Sequence, residues 1–246
     1  MSSLSTRFSR TALIAGAALF ATVLSSAPVN AQEGDDFDVC DPARATILGT
    51  SGNDVIEGTS GDDIIMTLGG DDRVFAGAGN DTICGGDGRD VILAGDGDDL
   101  VFAGAGNDVV RGQKGLDTIN GEGGHDRLLG NGLPDTIFGG PGNDTIDGGY
   151  GPDVLHGDEG NDYVAGGQGG DNIKGGDGND DLRGGNGPDE MRGGSGDDFI
   201  RGGNGHDQLD AGTGGIDRLW AGLGIDSCVD VFGSQLMVSC ENVAID

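Results

Sequence analysis

The chain contains few aromatic and few basic side chains. Only 4% of its 246 residues are aromatic, and 13 Lys and Arg stand against 43 Asp and Glu, which gives a net charge of −30. Nucleic-acid binding needs a basic face, so this deficit excludes a nucleic-acid partner. Its 54 glycines with so few aromatics are typical of a disordered or low-complexity chain, unless a regular repeat organises them.

Long apolar runs are also absent, apart from residues 11–24 (TALIAGAALFATVL). Arg7 and Arg10 precede this run, and Val29-Asn30-Ala31 supplies a small-residue cleavage site after it. The run is shorter than the roughly 20 residues that a membrane span needs, although an uncleaved anchor is the alternative. We therefore predict a signal peptide over residues 1–31, no membrane span, and a secreted, extracellular protein.

Catalytic motifs are missing as well. The chain has no G-x-S-x-G, H-E-x-x-H or Walker-type loop, and His125, His156 and His206 do not recur at a fixed spacing. Repeats of the kind described below often follow a catalytic domain. Only residues 32–48 lie between the predicted signal peptide and the repeats, so we expect a protein that is not an enzyme.

One residue type recurs with complete regularity. Numbering each nine-residue unit from its first glycine, position 6 is aspartate in eighteen consecutive units. Repeats of this kind decide the architecture of a chain. The predicted metal ligands are these aspartates: Asp54, Asp63, Asp72, Asp81, Asp90, Asp99, Asp108, Asp117, Asp126, Asp135, Asp144, Asp153, Asp162, Asp171, Asp180, Asp189, Asp198 and Asp207. Weaker units centred on Asp217 and Asp226 follow after a slip of one residue.

The other positions of the unit indicate a short strand between glycine turns. Position 8 is aliphatic or Met in all eighteen units, position 4 is Gly in seventeen, and position 1 is Gly in fourteen, where Thr67, Ala76, Ala94 and Ala103 are the exceptions. A nine-residue unit accommodates a six-residue turn and a three-residue strand, with position 8 facing inward. Two units per coil would form two short-strand parallel sheets around a thin core.

The units GGDGRDVIL (85–93), GGPGNDTID (139–147) and GGSGDDFIR (193–201) resemble the hemolysin-type, or RTX, calcium-binding nonapeptide, a repeat with a known signature. The resemblance covers residues 49 to about 228. It implies an all-β fold, a right-handed parallel β-roll (β-solenoid). We accordingly divide the chain into a signal peptide (1–31), an N-terminal cap (32–48), eighteen repeats (49–210), and degenerate repeats with a C-terminal cap (211–246).

Stacked turns would place the aspartates in two rows with neighbours about 4.8 Å apart, at which distance two carboxylates repel each other. The resemblance implies Ca²⁺ between repeats i and i+2, which gives up to about 16 ions that fold the roll on binding. Position 5 is often Asn or Asp, either as a further ligand or as a turn residue. Because Leu133 replaces the position-4 glycine, the sites that involve Asp117, Asp126 and Asp135 are predicted to be weaker.

Four cysteines in a secreted chain predict two disulfides. The length of the roll separates Cys40 and Cys84 from Cys228 and Cys240, so we predict the pairs Cys40–Cys84 and Cys228–Cys240, with free thiols as the alternative.

Two further functions remain open. Ice binding needs a regular Thr row, whereas Thr82, Thr118, Thr136 and Thr145 are scattered. Adhesion or matrix assembly would use self-association or a cell-surface partner. Its surface would be an outward apolar region near Ile64–Phe102, although strand propensity alone also accounts for that region. The outward residues are Ile64, Met66, Val91, Leu93, Leu100 and Phe102.

Overall fold

The structure is a computed structural model, and it describes residues 39–230, 237–239 and 242–245. These residues form strands and turns without a helix, so none of them forms a helix that could span a membrane. The predicted signal peptide (1–31) lies outside the described residues.

The described residues form twenty-three strands in succession. The first twelve are β1 (Ile47–Leu48), β2 (Val55–Glu57), β3 (Ile64–Met66), β4 (Arg73–Ala78), β5 (Thr82–Cys84), β6 (Val91–Asp96), β7 (Leu100–Ala105), β8 (Val109–Lys114), β9 (Thr118–Gly123), β10 (Arg127–Gly132), β11 (Thr136–Pro141) and β12 (Thr145–Tyr150). The others are β13 (Val154–Glu159), β14 (Tyr163–Gln168), β15 (Asn172–Asp177), β16 (Asp181–Asn186), β17 (Glu190–Ser195), β18 (Phe199–Asn204), β19 (Gln208–Thr213), β20 (Arg218–Leu223), β21 (Ser227–Asp230), β22 (Met237–Ser239) and β23 (Asn242–Ile245).

Every strand pairs in parallel with the strand two places along the chain. The odd-numbered strands form one 12-stranded sheet and the even-numbered strands form an 11-stranded sheet. Within the repeats the register is eighteen residues, as in Ile137 opposite Leu155 and Ile146 opposite Val164. The prediction of an all-β parallel solenoid with two sheets is confirmed, and the solenoid has about 10 turns.

The core is a double column of position-8 side chains between the two sheets. Ile119, Leu128, Ile137 and Ile146 are fully buried, and the column continues through Leu219. Most strands have six residues rather than the three predicted, because positions 2 and 3 also pair with the next coil, as in Gly149 opposite Gly167, even though φ at position 2 is positive (105° at Gly149). Position 1 lies two residues after position 8, so it also faces inward. Its occupants are glycine, the buried Thr67, or the buried alanines Ala76, Ala94, Ala103, Ala211 and Ala221.

The predicted outward apolar region is wrong as a single surface. Val91 and Leu93 lie on the even sheet, whereas Ile64, Leu100 and Phe102 lie on the odd sheet, at the opposite face of the roll. The other member of the region, Met66, is buried. The linear sequence grouped these residues because consecutive strands belong to different sheets.

A disulfide fastens the N-terminal segment to the first coils. Cys40 bonds to Cys84 with a Cα–Cα distance of 5.9 Å, as predicted. Cys228 is also disulfide-bonded. Its predicted partner, Cys240, lies outside the described residues.

Candidate metal sites

The position-6 aspartates form two continuous hydrogen-bonded rows, one at each edge of the roll. The backbone N–H of Asp126 donates to Oδ1 of Asp144 (2.8 Å), and the N–H of Asp144 donates to Oδ1 of Asp162 (2.8 Å). The same bond recurs at every step, and it extends the rows beyond the eighteen predicted residues to Asp217 and Asp226. All of the predicted ligands are buried except Asp54, which is half-buried.

The second carboxylate oxygen of most of these residues has no partner. Oδ2 is buried and accepts no hydrogen bond in sixteen of the eighteen predicted ligands. They are Asp72, Asp81, Asp90, Asp99, Asp108, Asp117, Asp126, Asp135, Asp144, Asp153, Asp162, Asp171, Asp180, Asp189, Asp198 and Asp207. A buried acceptor without a partner costs about 1–3 kcal/mol, and more when it is charged. The pattern calls for a positive charge next to each oxygen.

The first two aspartates differ because threonine occupies position 2 of their repeats. The backbone N–H of Thr50 and its hydroxyl both donate to Oδ2 of Asp54, at 2.6 and 2.9 Å. Thr59 makes the same two bonds to Oδ2 of Asp63, at 2.8 and 2.9 Å. The rows of unpartnered oxygens therefore begin one coil later, at Asp72 and Asp81.

Where glycine occupies position 1, a backbone carbonyl oxygen lies near the unpartnered carboxylate oxygen in most repeats. A Cβ added to Gly139 would lie 2.5 Å from Oδ2 of Asp144 and 2.6 Å from the carbonyl oxygen of Gly157. At Gly121 the corresponding distances are 2.6 Å to Asp126 Oδ2 and 2.5 Å to the Gly139 carbonyl. Two acceptors thus converge beside the position-1 glycine, and one belongs to repeat i and the other to repeat i+2.

Oxygen atoms from carboxylates and backbone carbonyls are the ligands that Ca²⁺ prefers. Among the described residues, no three His, Cys, Asp or Glu side chains group together as metal ligands. Any ion in a row would therefore need backbone carbonyls to complete its coordination. The arrangement at Asp144 and Gly157 fits this requirement, and the fit disfavours metals that depend on thiolate or imidazole ligands.

Burial raises the pKa of the interior aspartates, despite the hydrogen bond that each receives from the N–H of the preceding aspartate in its row. Repulsion from the row neighbours adds to the shift, and the pKa reaches about 7 at Asp90 and Asp126 and about 6 at Asp153. At Asp63 burial also raises the pKa, but the bonds from Thr59 and Thr46 outweigh it and lower the pKa below its usual value. The interior carboxylates are therefore destabilised as anions.

We call the space between the Oδ2 of an aspartate and the position-1 carbonyl of repeat i+2 the gap. Side chains at position 1 enter the gap in four of the early repeats. Ala76, Ala94 and Ala103 each place a methyl group there, next to the aspartate five residues later in its own repeat. The Thr67 hydroxyl donates to the Gly85 carbonyl, which corresponds in the repeat to the carbonyl of Gly157. Fewer oxygens are therefore free at Asp72 than at Asp144.

Position 5 forms a second, outer hydrogen-bonded row, which supports its interpretation as a turn residue. Oδ1 of Asn143 accepts the backbone N–H of Asn161 (2.7 Å), and Asn161 does the same for Asn179 (2.8 Å). His125 takes part through Nδ1, which accepts the N–H of Asn143 (2.7 Å), and Nδ1 of His206 accepts the N–H of Ile225 (3.0 Å). No pattern in the sequence indicated this role of histidine.

The turn at Leu133 departs from the others in its backbone. Leu133 has φ of 73°, whereas the glycine at position 4 of the next repeat on this edge, Gly151, has φ of 117°. In the described turns from Gly70 to Gly205, the position-4 N–H donates to a carbonyl of the next coil, except at Gly115 and Leu133. The carboxylate row nevertheless continues, since the Asp117 N–H donates to Asp135 Oδ1 at 2.9 Å. The weaker sites predicted near Leu133 remain a prediction.

The chain matches the family model described as RTX calcium-binding nonapeptide repeat (4 copies). The matched segments are residues 48–83, 79–110, 102–137, 138–173 and 174–209, which together cover more than half of the chain. No curated protein matches the chain.

Proposed function

The chain belongs to the RTX calcium-binding nonapeptide repeat family, and we propose that it is a secreted calcium-binding protein whose roll folds when Ca²⁺ enters the two aspartate rows. The sixteen buried, unpartnered Oδ2 atoms carry this proposal. Bound calcium would supply positive charge beside them. The chain itself would supply one carboxylate oxygen and one carbonyl oxygen on opposite sides of each gap, as at Asp144 and Gly157.

Energetics support a coupling between folding and metal binding. Each repeat buries about one aliphatic side chain, which contributes roughly 1.5–3 kcal/mol. The same repeat buries one carboxylate, and an uncompensated buried ion costs several kcal/mol. The cost of burying the carboxylate therefore offsets the free energy gained by burying the aliphatic side chain, and the loss of conformational entropy on folding is a further cost. Metal binding energy would then be folding energy, as in other small metal-dependent domains.

The ions would number up to about 16, and all eighteen aspartates would take part. The charges are consistent with this count: without residues 1–31 the chain has 43 acidic and 11 basic residues, and sixteen divalent ions would neutralise the difference. We expect the gaps beside Asp72, Asp81, Asp99 and Asp108 to bind less tightly, because Thr67, Ala76, Ala94 and Ala103 narrow them.

Export would separate synthesis from folding. The predicted signal peptide directs the chain to an extracellular compartment, where calcium is abundant and disulfides such as Cys40–Cys84 persist. The proposed role is structural and binding rather than catalytic, and it agrees with the calcium-binding description of the family.

Circular dichroism tests the proposal. The metal-free protein at pH 7.5 should have a disordered spectrum, and added Ca²⁺ should produce a β spectrum in a cooperative transition. Mg²⁺ at equal ionic strength is the control, because it demands near-ideal octahedral geometry and gives up its water reluctantly. An identical spectrum in chelator and in calcium would contradict the proposal, as would a transition that Mg²⁺ produces equally well.

A further inference from the structure

The basic residues of this acidic protein are unevenly distributed over the two sheets. Positions 7 and 9 of the even sheet place six arginines and three acidic residues on its outer face, whereas these positions of the odd sheet carry one lysine and one arginine. The six are Arg73, Arg111, Arg127, Arg183, Arg201 and Arg218. The even sheet therefore has a positive outer face in a chain whose net charge is −30.

Three of these arginines alternate with aromatic residues on β14, β16, β18 and β20. We call the group Tyr163, Arg183, Phe199, Arg201, Arg218 and Trp220 the arginine–aromatic face. In the sheet register Phe199 is opposite Arg218, and Arg201 is opposite Trp220. Each aromatic ring on β18 and β20 thus has an arginine beside it on the same strand and another on the neighbouring strand.

One part of this face already holds a carboxylate. The guanidinium carbon of Arg183 lies 4.8 Å from the centre of the Tyr163 ring. Nε and Nη2 of Arg183 donate to the two carboxylate oxygens of Asp181, at 3.3 and 3.1 Å. The ring supports the guanidinium group, and the nitrogen atoms along its edge bind the carboxylate.

The next strands repeat this arrangement without the carboxylate. The guanidinium carbon of Arg201 lies 4.0 Å from the centre of the Phe199 ring, and the Trp220 ring beside it is 59% exposed. Among the described residues, neither Arg201 nor Arg218 forms an ion pair. Two guanidinium groups are thus available to a carboxylate that the protein itself does not supply.

We propose that the arginine–aromatic face binds an acidic polysaccharide through its carboxylate groups. A guanidinium group binds a carboxylate through two parallel hydrogen bonds, and all the basic residues at positions 7 and 9 of the described even strands are arginines, which matches that chemistry. The exposed Trp220 side chain offers a flat apolar surface against which a sugar ring can pack, beside the half-buried Phe199 ring that supports Arg201. Strands about 4.8 Å apart present these groups in succession, as a linear polymer requires.

Charge disfavours a nucleic acid as the occupant. Duplex DNA carries one negative charge per roughly 1.7 Å and needs a long basic track, whereas the turn edges beside this face are rows of aspartates. The proposal does not rest on calcium as the folding trigger. It requires only the folded roll.

The test is the affinity of the calcium-loaded protein for hyaluronan, which carries one carboxylate per disaccharide. Carboxyl-reduced hyaluronan and single-stranded poly(dT) are the comparison ligands. The variant Arg201→Gln/Arg218→Gln should bind hyaluronan about tenfold more weakly or worse, because two charge-assisted contacts are lost. Trp220→Ala should weaken binding several-fold without changing its salt dependence.

The matched control is Lys174→Gln/Arg192→Gln, which removes the same charge from adjacent strands of the odd sheet and should leave the affinity unchanged. Circular dichroism in calcium verifies the fold of each variant. If Arg201→Gln/Arg218→Gln does not fold, Arg201→Lys/Arg218→Lys replaces it: this variant keeps the charge, loses the paired hydrogen bonds, and should bind several-fold more weakly. Equal loss in the control variant, equal binding of the carboxyl-reduced polymer or of poly(dT), or no binding of hyaluronan would each overturn the proposal.

Discussion

At the residue scale, the aspartate of each repeat has two oxygen atoms with separate roles. In sixteen of the eighteen repeats Oδ1 accepts the backbone N–H of the preceding aspartate in the row and joins one coil to the next, whereas Oδ2 accepts no hydrogen bond and, as at Asp144, lies near a backbone carbonyl oxygen. The stacked aspartate column was predictable from the period, whereas calcium as its ion was implied by the resemblance of the repeats to the RTX nonapeptide. The threonine bonds at Asp54 and Asp63 were not, because Thr50 and Thr59 look like ordinary exceptions at a glycine position.

Replacing Gly139 by alanine tests the role of the gap. The new methyl group would lie 2.5 Å from Asp144 Oδ2 without any backbone strain. In excess calcium the free energy of unfolding should fall by about 1–3 kcal/mol, the usual cost of overpacking. Urea denaturation measures this change.

Gly123→Ala is the matched control, since its methyl group would meet no atom within 4 Å. It should leave the free energy of unfolding unchanged or raise it by about 0.4–1 kcal/mol. If Gly139→Ala is as harmless as Gly123→Ala, the gap is not a binding site.

At the scale of the strand and turn, the sequence correctly predicted that position 8 faces inward, but the predicted strand length of three residues was too short. Position 1 faces the core two residues after position 8, and glycine at this position hides the signal because it carries no side chain. The prediction of one apolar surface near Ile64–Phe102 was wrong for a related reason. Consecutive repeats belong to opposite sheets, so residues that are close in the sequence do not necessarily lie on the same surface.

The turn at Leu133 supplies a prediction at this scale. Leu133 is 56% exposed and has a positive φ, which costs a residue other than glycine about 1–2 kcal/mol. Leu133→Gly should raise the free energy of unfolding in calcium by about 1 kcal/mol. It should also tighten binding near Asp117 and Asp135, as calcium titration calorimetry would detect.

Leu116→Gly provides the control for this substitution. Leu116 is comparably exposed, at 52%, but its φ is not positive. Glycine should therefore lower the stability there by about 0.5–1 kcal/mol. If Leu133→Gly lowers the free energy of unfolding as Leu116→Gly does, the backbone at Leu133 is not strained.

At the scale of the whole molecule, the two aspartate rows determine how the roll responds to pH. The pKa of Asp90 and Asp126 is raised to about 7 in the folded chain, because burial and neighbouring carboxylates disfavour the anions. An unfolded aspartate titrates near 3.9. These groups therefore favour the metal-free roll most strongly below about pH 4, and this contribution is lost as the pH rises to about 7.

The metal-free protein should consequently gain β-structure when the pH is lowered from 7.5 to 5, a value still above the isoelectric point of about 4.1. Calcium affinity should fall over the same interval, since protons compete for the carboxylates. Circular dichroism of chelator-treated, dialysed protein measures the first effect, and calorimetry measures the second. A metal-free spectrum that does not respond to pH would show that repulsion within the rows does not prevent folding.

The most direct test of the central claim is anomalous diffraction from crystals grown in calcium. We predict two lines of calcium peaks along the edges of the roll, each peak between the Oδ2 of an aspartate from Asp72 to Asp207 and the position-1 carbonyl oxygen of the second repeat further along. This carbonyl lies thirteen residues after the aspartate, or fourteen after Asp207 because of the one-residue slip. Peaks that are confined to exposed carboxylates, or Oδ2 atoms without a neighbouring ion, would contradict the account.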